Sequence, residues 1–492
     1  MRILITITLV VSATISFGQV SSFFKLYSDQ GDDSGHGIVE LLDSSYAVTG
    51  SSSSFIGGVG SQAFLLKIDS TGGFEWSKNY GGPESEVGRR IMHIDNIGYY
   101  IAGYTNSYGN GGYDYYLLKT DLSGNILWEK TYGDFGWERV HDAVLARDSG
   151  VIMIGETSSS FPENKDMWIV RTDQNGDTLW TMRLGDENGD DVLESIDQAT
   201  DSTYYAAGYT YDPILDQTFA FSMHLHENGT VYWTDNMGAD GDYYFHGITM
   251  DTANNELVAV GHHVPLGETR KDQFFARIGL AGAEIGWYTN PLARDQMNTM
   301  VTTYGIAGYR MIGLSKFDDS SVDEAEDVSL HMYTQALAHL TTVFSVNFPG
   351  QDDMGQVVPT QDGGTISTGR TNSQGDTIGV NHIFVAKVGM WNDSPSTIIP
   401  HDIQTVVSVE EDDMIEYLEV YPNPSNGIIT LSSSLQDEVS VEIYSGLGAL
   451  MSKMNMYGSI TMDVSNYSAG IYYIKSTTKG GLRNVHKLVV KK

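Results

Sequence analysis

An all-β chain is predicted by three observations. Glycines end short apolar runs at Gly50, Gly103, Gly155, Gly208, Gly261, Gly313 and Gly369, in steps of 53, 52, 53, 53, 52 and 56 residues. Aromatic residues fall at Trp76, Trp128, Trp180, Trp233, Trp287 and Phe344 with nearly the same period. Each unit offers four short segments rich in Tyr, Val, Ile and Thr, and none shows a 3.6-residue period over a helical length. Four strands per unit at this repeat length is the signature of a propeller blade. The expectation is a seven-bladed β-propeller over residues 19–390, closed by the N-terminal strand and followed by a small C-terminal Ig-like β-sandwich.

The second unit shows the pattern, with strands expected at Gly88–Asp95, Gly98–Tyr104, Tyr113–Asp121 and Asn125–Tyr132. The turn between third and fourth strands recurs as Asp69-Ser-Thr-Gly72, Asp121-Leu-Ser-Gly124 and Asp173-Gln-Asn-Gly176, with His226-Glu-Asn-Gly229 as a degenerate copy. Asp bonds its own backbone two residues on, and Gly takes the positive φ that closes the hairpin. The Trp follows four residues later. Alternation along a strand then puts Trp76, Lys78 and Tyr80 on one face, and likewise Trp128, Lys130 and Tyr132. A Trp wedged between neighbouring sheets is expected to bury up to ~200 Å2.

The last unit lacks a fourth strand. Its segments Gln356–Pro359, Thr365–Arg370 and His382–Val388 run through Trp391 into the polar stretch Asn392-Asp393-Ser394-Pro395. Phe23, Lys25 and Tyr27 repeat the spacing of Trp76, Lys78 and Tyr80. The N-terminal strand is therefore expected to complete the last sheet and remove its exposed edge. Unit six is irregular, and its acidic insert from Asp318 to Asp327 reads as a solvated loop.

Charge narrows the partners. The net charge is -35, from 63 acidic and 28 basic residues, which argues against nucleic acid and favours solubility and cation binding. The chain has no Cys, so disulfides and a Cys-anchored lipid are excluded. Residues 1–18 read as a signal peptide: Arg2 supplies the charge, Ile3 to Val11 the apolar stretch, and Ser16-Phe17-Gly18 the small residues before Gln19. No later segment is apolar enough to cross a membrane. Residues 391–415 read as an acidic linker, with Pro395, Pro400 and Glu410-Glu411-Asp412-Asp413.

From 416 to 492 the period is lost and short strands continue. Three motifs stand out: Val420-Tyr421-Pro422-Asn423-Pro424-Ser425-Asn426-Gly427, then Val441-Glu-Ile443-Tyr444-Ser-Gly446-Leu-Gly448, then Asp463 through Gly470 to Lys475, ending in Lys487-Leu-Val-Val-Lys491-Lys492. They read as a Pro turn, a hairpin and two final strands. This order closely resembles the C-terminal sorting domain of the type IX (Por) secretion system of Bacteroidetes, although Ser445 stands where that family more often has Asp. The resemblance implies export through the periplasm to the outer-membrane surface or beyond, with the secretion machinery as partner. It implies that Tyr421, Pro422, Asn423, Pro424, Gly427, Gly470 and Lys487 carry the address. It also implies tail removal near the acidic linker and attachment of the mature protein to surface lipopolysaccharide. The repeats are similar to those common in cargo of this system, which gives a fold and no activity.

Candidate ligand residues lie in the loops between units. Counting from Tyr27, Tyr80, Tyr132 and Leu184, the sixth position holds Asp33, Glu86, Glu138 and Asp190, with Asp186 and Asp191 adding acid in unit four. The ninth position holds His36, Arg89 and His141, with His246 counted from Met237. A ring of carboxylates suits Ca2+ or a cationic or polyhydroxylated ligand. The same acid repeated in every blade also suits a purely structural role, accepting backbone N–H bonds in one turn type. His224-x-His226 has metal-site spacing but replaces a Lys-x-Asp pair of other blades, and His262 and His263 point to opposite faces. No nucleophile elbow, His-Glu-x-x-His helix, EF-hand or phosphate loop is present. Carboxylate pairs for glycoside cleavage are defined only in three dimensions. The expected function is a secreted or surface-displayed, non-enzymatic binding or adhesion module for glycan or protein. The alternatives are an extracellular polysaccharide hydrolase or lyase and a structural envelope component. Exposed aromatics such as Trp137, Tyr243 and Tyr244 are expected to favour binding.

Overall fold

The computed structural model describes residues 22–28, 31–54, 60–158, 164–185, 188–199, 202–252, 254–290, 295–298, 311–318, 326–333, 339–346, 352–372, 381–388, 403–405, 418–422, 425, 427–435, 438–445, 450–478 and 483–491. The expected signal peptide, most of the acidic insert, and Asn423 and Pro424 lie outside these residues. The chain divides into two compact units, Met1–Ser408 and Val409–Lys492, and the division falls inside the expected linker.

The first unit is all-β and of propeller type. Six four-stranded antiparallel sheets follow one another among its described residues. The first runs Asp33–Glu40, Tyr46–Ser52, Gln62–Ile68 and Phe74–Tyr80. The second runs Glu86–Ile94, Gly98–Thr105, Asp114–Asp121 and Ile126–Tyr132, close to expectation. The third to sixth begin at Glu138–Leu145, Val192–Gln198, Gly241–Asp251 and Asp295–Asn298. A seventh sheet contains Asp352–Pro359, Thr365–Thr371 and His382–Val388. Phe23–Ser28 joins it, pairing antiparallel to His382–Val388 with Phe23 opposite Lys387 and Tyr27 opposite Ile383. Each sheet packs on the next, and the opening strand of the first also packs on the seventh.

Apolar residues on both faces of the middle strands fill the layers between sheets. One layer joins Phe23, Tyr27, Ile366, Ile383 and Val385 to Ile38, Val48, Phe64 and Leu66. The next joins Leu65 and Tyr80 to Ile91, Ile101 and Tyr116. At ~25 cal/mol per Å2 these layers dominate the folding energy.

The Trp face acts as a clamp, though not as the deep wedge expected. The Trp rings are half-buried, and Trp76, Trp128, Trp180 and Trp233 each lie over the hairpin turn of the next sheet. A Cβ on Gly124 would sit 2.9 Å from the Trp76 ring, and one on Gly176 would sit 2.6 Å from that of Trp128. These turn glycines have φ near 78° and 76°, as the Asp-x-x-Gly hairpin requires. Lys78 donates to Asn125 at 2.5 Å and Lys130 to Asp177 at 2.6 Å. Tyr80 and Tyr132 donate to the carbonyls of Gly124 and Gly176 at 2.8 and 2.6 Å. In the degenerate turn His226 replaces Asp, its ring Nδ1 accepting the Asn228 N–H at 3.1 Å.

One feature of the linker differs from expectation. Ile403–Thr405 adds a parallel strand outside Phe23–Ser28, with Leu26 opposite Ile403. Phe23–Ser28 would otherwise be an edge strand with unpaired N–H and C=O groups, which the added strand covers.

The second unit has a three-stranded sheet and a four-stranded sheet among its described residues. They share one core of Leu418, Ile429, Leu431, Val441, Ile443, Ile474, Leu488 and neighbours. Ser425 ties the Pro-rich motif to the C-terminus: its N–H donates to Val489 and its carbonyl accepts from Lys491, both at 2.8 Å. Gly427 accepts from Val464 at 2.7 Å, Gly470 opens the strand Gly470–Thr478, and Lys487 sits opposite Tyr473. Tyr421 and Pro422 are exposed.

Candidate functional site

The periodic glycine builds the site. In the first strand of six sheets the register slips by one residue, between Gly35 and Gly37, Gly88 and Arg90, Val140 and Asp142, Leu193 and Ser195, Phe245 and Gly247, and Met354 and Gln356. Each slip is a β-bulge, which leaves one residue unpaired and re-aims its side chain. The residue before each bulge pairs with Gly50, Gly103, Gly155, Gly208, Gly261 or Gly369. A Cβ on Gly50 or Gly103 would sit 1.8 Å from the carbonyl oxygen of Ser34 or Val87, and one on Gly261 would sit 1.7 Å from that of Tyr244. Only glycine permits that approach, so the glycine period is a period of bulges.

The bulged residues are His36, Arg89, His141, Glu194, His246 and Gly355. All of them line one cavity of about 170 Å3, together with Gly35, Arg90, Asp353, Met354 and Arg370. The residues just past the bulges staple neighbouring sheets around it. Arg90 donates through Nε to Asp142 at 2.6 Å and through Nη1 to the His36 carbonyl at 3.2 Å. Asp142 accepts the Ile196 N–H at 3.0 Å, Ser195 that of Ile248 at 3.2 Å, and Gln356 that of Ile38 at 2.9 Å. These links fix the cavity wall to the sheet frame.

Three guanidinium groups, of Arg89, Arg90 and Arg370, line the cavity beside the carboxylates of Glu194 and Asp353. Burial lowers the pKa of His36 well below its ordinary value, and the charges of Arg89, Arg370 and Arg90 lower it further. Burial also lowers His246, whose Nε2 lies 2.8 Å from Nδ1 of His262. His141 lies 3.4 Å from both Glu194 and Glu156, and Lys165 lies 2.9 Å from Glu156. Burial alone would raise the Glu156 carboxyl, but His141 and Lys165 outweigh it and hold it at about 2. Arg370 reaches Asp353 at 3.7 Å. Arg89 forms no ion pair or side-chain hydrogen bond among the described residues, and its Nε is buried without a partner.

The structure separates the two sets of candidates. The ninth-position residues His36, Arg89, His141 and His246 meet in the cavity. The acids hold loops and do not line it. Asp33 accepts Ser54 at 2.8 Å; Glu86 accepts Thr105 at 2.6 Å and the Gly82 N–H at 2.9 Å. Glu138 accepts Thr157 at 2.9 Å and the Asp134 N–H at 3.1 Å. Asp191 accepts the Thr210 hydroxyl and the Tyr211 N–H, the latter at 3.2 Å, and Asp190 accepts the Lys165 N–H at 3.1 Å. Among the described residues no group of three or more His, Asp or Glu is arranged to hold a metal ion. Sequence reasoning missed Glu194 because its loop is one residue longer, so the bulge falls at the tenth position. It missed Arg370 and Asp353, which become neighbours only through strand pairing.

The other candidates settle into packing. His224 stacks on Tyr205 at 4.3 Å, and His263 stacks on Tyr243 at 4.2 Å. Tyr243 is fully buried and cannot form an exposed platform. Tyr244 stacks on His262 at 4.4 Å. Trp137 stays 51% exposed, with the Arg139 guanidinium 4.9 Å from its ring centre.

Residues 419–491 match the family described as the secretion system C-terminal sorting domain. This tail implies interaction with the type IX secretion system and a secreted, cell-surface or extracellular location. No helix among the described residues is long and apolar enough to cross a membrane. No curated protein matches the chain. Among solved structures, Sqt1 from Chaetomium thermophilum is similar at 11% identity and TM-score 0.38, covering 76% of this chain and 100% of that one. The periplasmic gluconolactonase PpgL from Pseudomonas aeruginosa is similar at 12% identity and TM-score 0.37, covering 80% and 99%. An exo-beta-1,3-galactanase from Phanerochaete chrysosporium is similar at 10% identity and TM-score 0.30, covering 92% and 95%.

Proposed function

We propose that the protein is a type IX cargo of Bacteroidetes origin whose mature form is a non-enzymatic binding module for an extracellular glycan or protein. In this reading residues 1–18 are removed on export, and the seven sheets are the blades of a propeller closed by Phe23–Ser28. The tail is an Ig-like sorting domain, removed before the mature protein is attached to surface lipopolysaccharide. One observation carries the binding reading. The frame of each bulge is repeated, yet its side chain changes from His36 to Arg89, His141, Glu194, His246 and Gly355. A purely structural ring would repeat that residue as it repeats the glycine opposite.

The purified protein, applied to arrays of bacterial, plant and host glycans and of surface proteins, is expected to bind a narrow subset. His36→Ala with His246→Ala is expected to abolish that binding in a protein that still melts cooperatively. Retention of no array component would defeat the reading. The enzymatic alternative rests on the His141–Glu194 contact, a base and a carboxyl sharing one cavity. Release of reducing or unsaturated sugar ends by the wild type, and its loss in Glu194→Gln, would favour it.

A further inference from the structure

We propose that the cavity lined by the bulged residues is an oxyanion site that takes a single carboxylate or sulfate group of the bound molecule, with Arg89 as its principal contact and Arg370 as its second. The proposal rests on the reading of this cavity as the binding site and names the chemistry it selects. The chain carries a net charge of -35, yet three guanidinium groups converge on one small cavity.

Counting commitments isolates one cation. Arg90 is spent on Asp142 at 2.6 Å, with both side chains buried. Arg370 is shared with Asp353 at 3.7 Å, and the Glu194 carboxylate lies 3.4 Å from the His141 ring rather than on a guanidinium. Arg89 is left without a counter-charge among the described residues. A single uncommitted guanidinium balances one negative charge. That fits a uronate carboxylate or a sulfate ester and disfavours a doubly charged phosphate monoester.

Hydrogen bonding points the same way. The Nε atoms of Arg89 and Arg370 are both buried and lack acceptors. A buried donor without a partner is costly, and a guanidinium fork matches the geometry of a planar or tetrahedral oxyanion. Water in the cavity is a weaker acceptor than a carboxylate or sulfate oxygen. His36, kept neutral by burial and by the surrounding guanidiniums, adds a hydrogen bond without adding charge. The volume of about 170 Å3 has room for roughly ten waters, or for one charged group with part of the sugar that carries it.

The test is titration calorimetry of the full chain with tetragalacturonate, a heparin-derived tetrasaccharide, neutral galactotetraose, sodium acetate and sodium sulfate. At least one acidic oligosaccharide is expected to bind tenfold or more tighter than the neutral one. Arg89→Gln is expected to remove that advantage, and Arg89→Lys to restore part of it. Competition by acetate assigns the carboxylate source, and competition by sulfate the sulfate ester. Arg370→Gln serves as the second variant if Arg89→Gln does not melt like the wild type. Equal affinity for acidic and neutral sugars, unmoved by either variant, overturns the oxyanion assignment while the binding reading stands. No binding by any probe, together with empty arrays, overturns both.

Discussion

The Tyr27 hydroxyl donates to the carbonyl oxygen of Gly72 at 2.7 Å. This is the contact that Tyr80 makes to Gly124 and Tyr132 to Gly176. Phe23 covers the same turn, since a Cβ on Gly72 would sit 2.8 Å from its ring. The strand Phe23–Ser28 therefore clamps the first sheet as Phe74–Tyr80 and Ile126–Tyr132 clamp the sheets after them. Tyr27→Phe is expected to cost about 1 kcal/mol in urea unfolding, the net value of one hydrogen bond. Deleting residues 22–28 is expected to be far worse: the freed edge of His382–Val388 should show as oligomers in size-exclusion chromatography.

The glycine opposite each bulge makes a sharper prediction. Gly103→Ala drives a methyl into the Val87 carbonyl, which lies 1.8 Å from the Cβ position. The expected loss is roughly 2–3 kcal/mol of stability, as for an overpacked core site. Because the bulge positions Arg89, ligand affinity should fall as well. Gly286→Ala, where a Cβ meets nothing within 4 Å, is the control that should change neither.

Arg90 and Asp142 form a buried pair that bridges two sheets, with Asp142 also bonded to a third. Arg90→Met leaves the carboxylate buried and uncompensated, at an expected cost of about 3–5 kcal/mol. Adding Asp142→Leu should recover much of that loss, which denaturant unfolding of the single and double variants would measure.

Asp114 sets up a pH dependence. Burial raises its carboxyl to about 6, the Asn110 N–H works against this, and the charges of Glu138 and Asp134 add to it. A carboxyl raised in the folded state is unfavourable to folding above pH 6, and that penalty shrinks as pH falls from about 6 towards the unfolded value near 4, below which it is gone. Asp114→Asn is thus expected to raise Tm by about 1–3 °C at pH 7.5 and by less at pH 4.5, read from thermal melts at both values.

Deleting residues 416–492 removes the segment that matches the sorting family. The truncated protein is expected to accumulate in the cell envelope, and immunoblots of culture medium should be blank. Normal release would break the link between tail and export.

Much of the frame was legible in the residues because its devices recur. Asp121, Gly124, Trp128 and Tyr132 each perform a local task that the next unit needs again, so repetition exposed them. The pairing of Phe23–Ser28 with His382–Val388 was legible for the same reason. Ile403–Thr405 was not, because three residues are too few to show alternation. The cavity was half legible. His36, Arg89, His141 and His246 share a loop position, but a bulge shifts register by one residue, and the longer fourth loop moved Glu194 out of step. Arg370 and Asp353 carry no local signature. The acids Glu86 and Glu138 were conspicuous for the opposite reason: a latch must be identical everywhere, whereas a recognition surface must not.

The seam between Phe23–Ser28 and His382–Val388 has a consequence for how the molecule is made. A hexapeptide synthesised near the beginning cannot dock until its partner, hundreds of residues later, has emerged. Bringing such distant segments together costs about 5 kcal/mol of chain entropy. Assembly is therefore a slow, terminal act, and the sticky leading segment stays exposed until then. Transplanting that segment to follow residue 388 would make the last sheet local, and refolding should accelerate without any change in the residues that line the cavity.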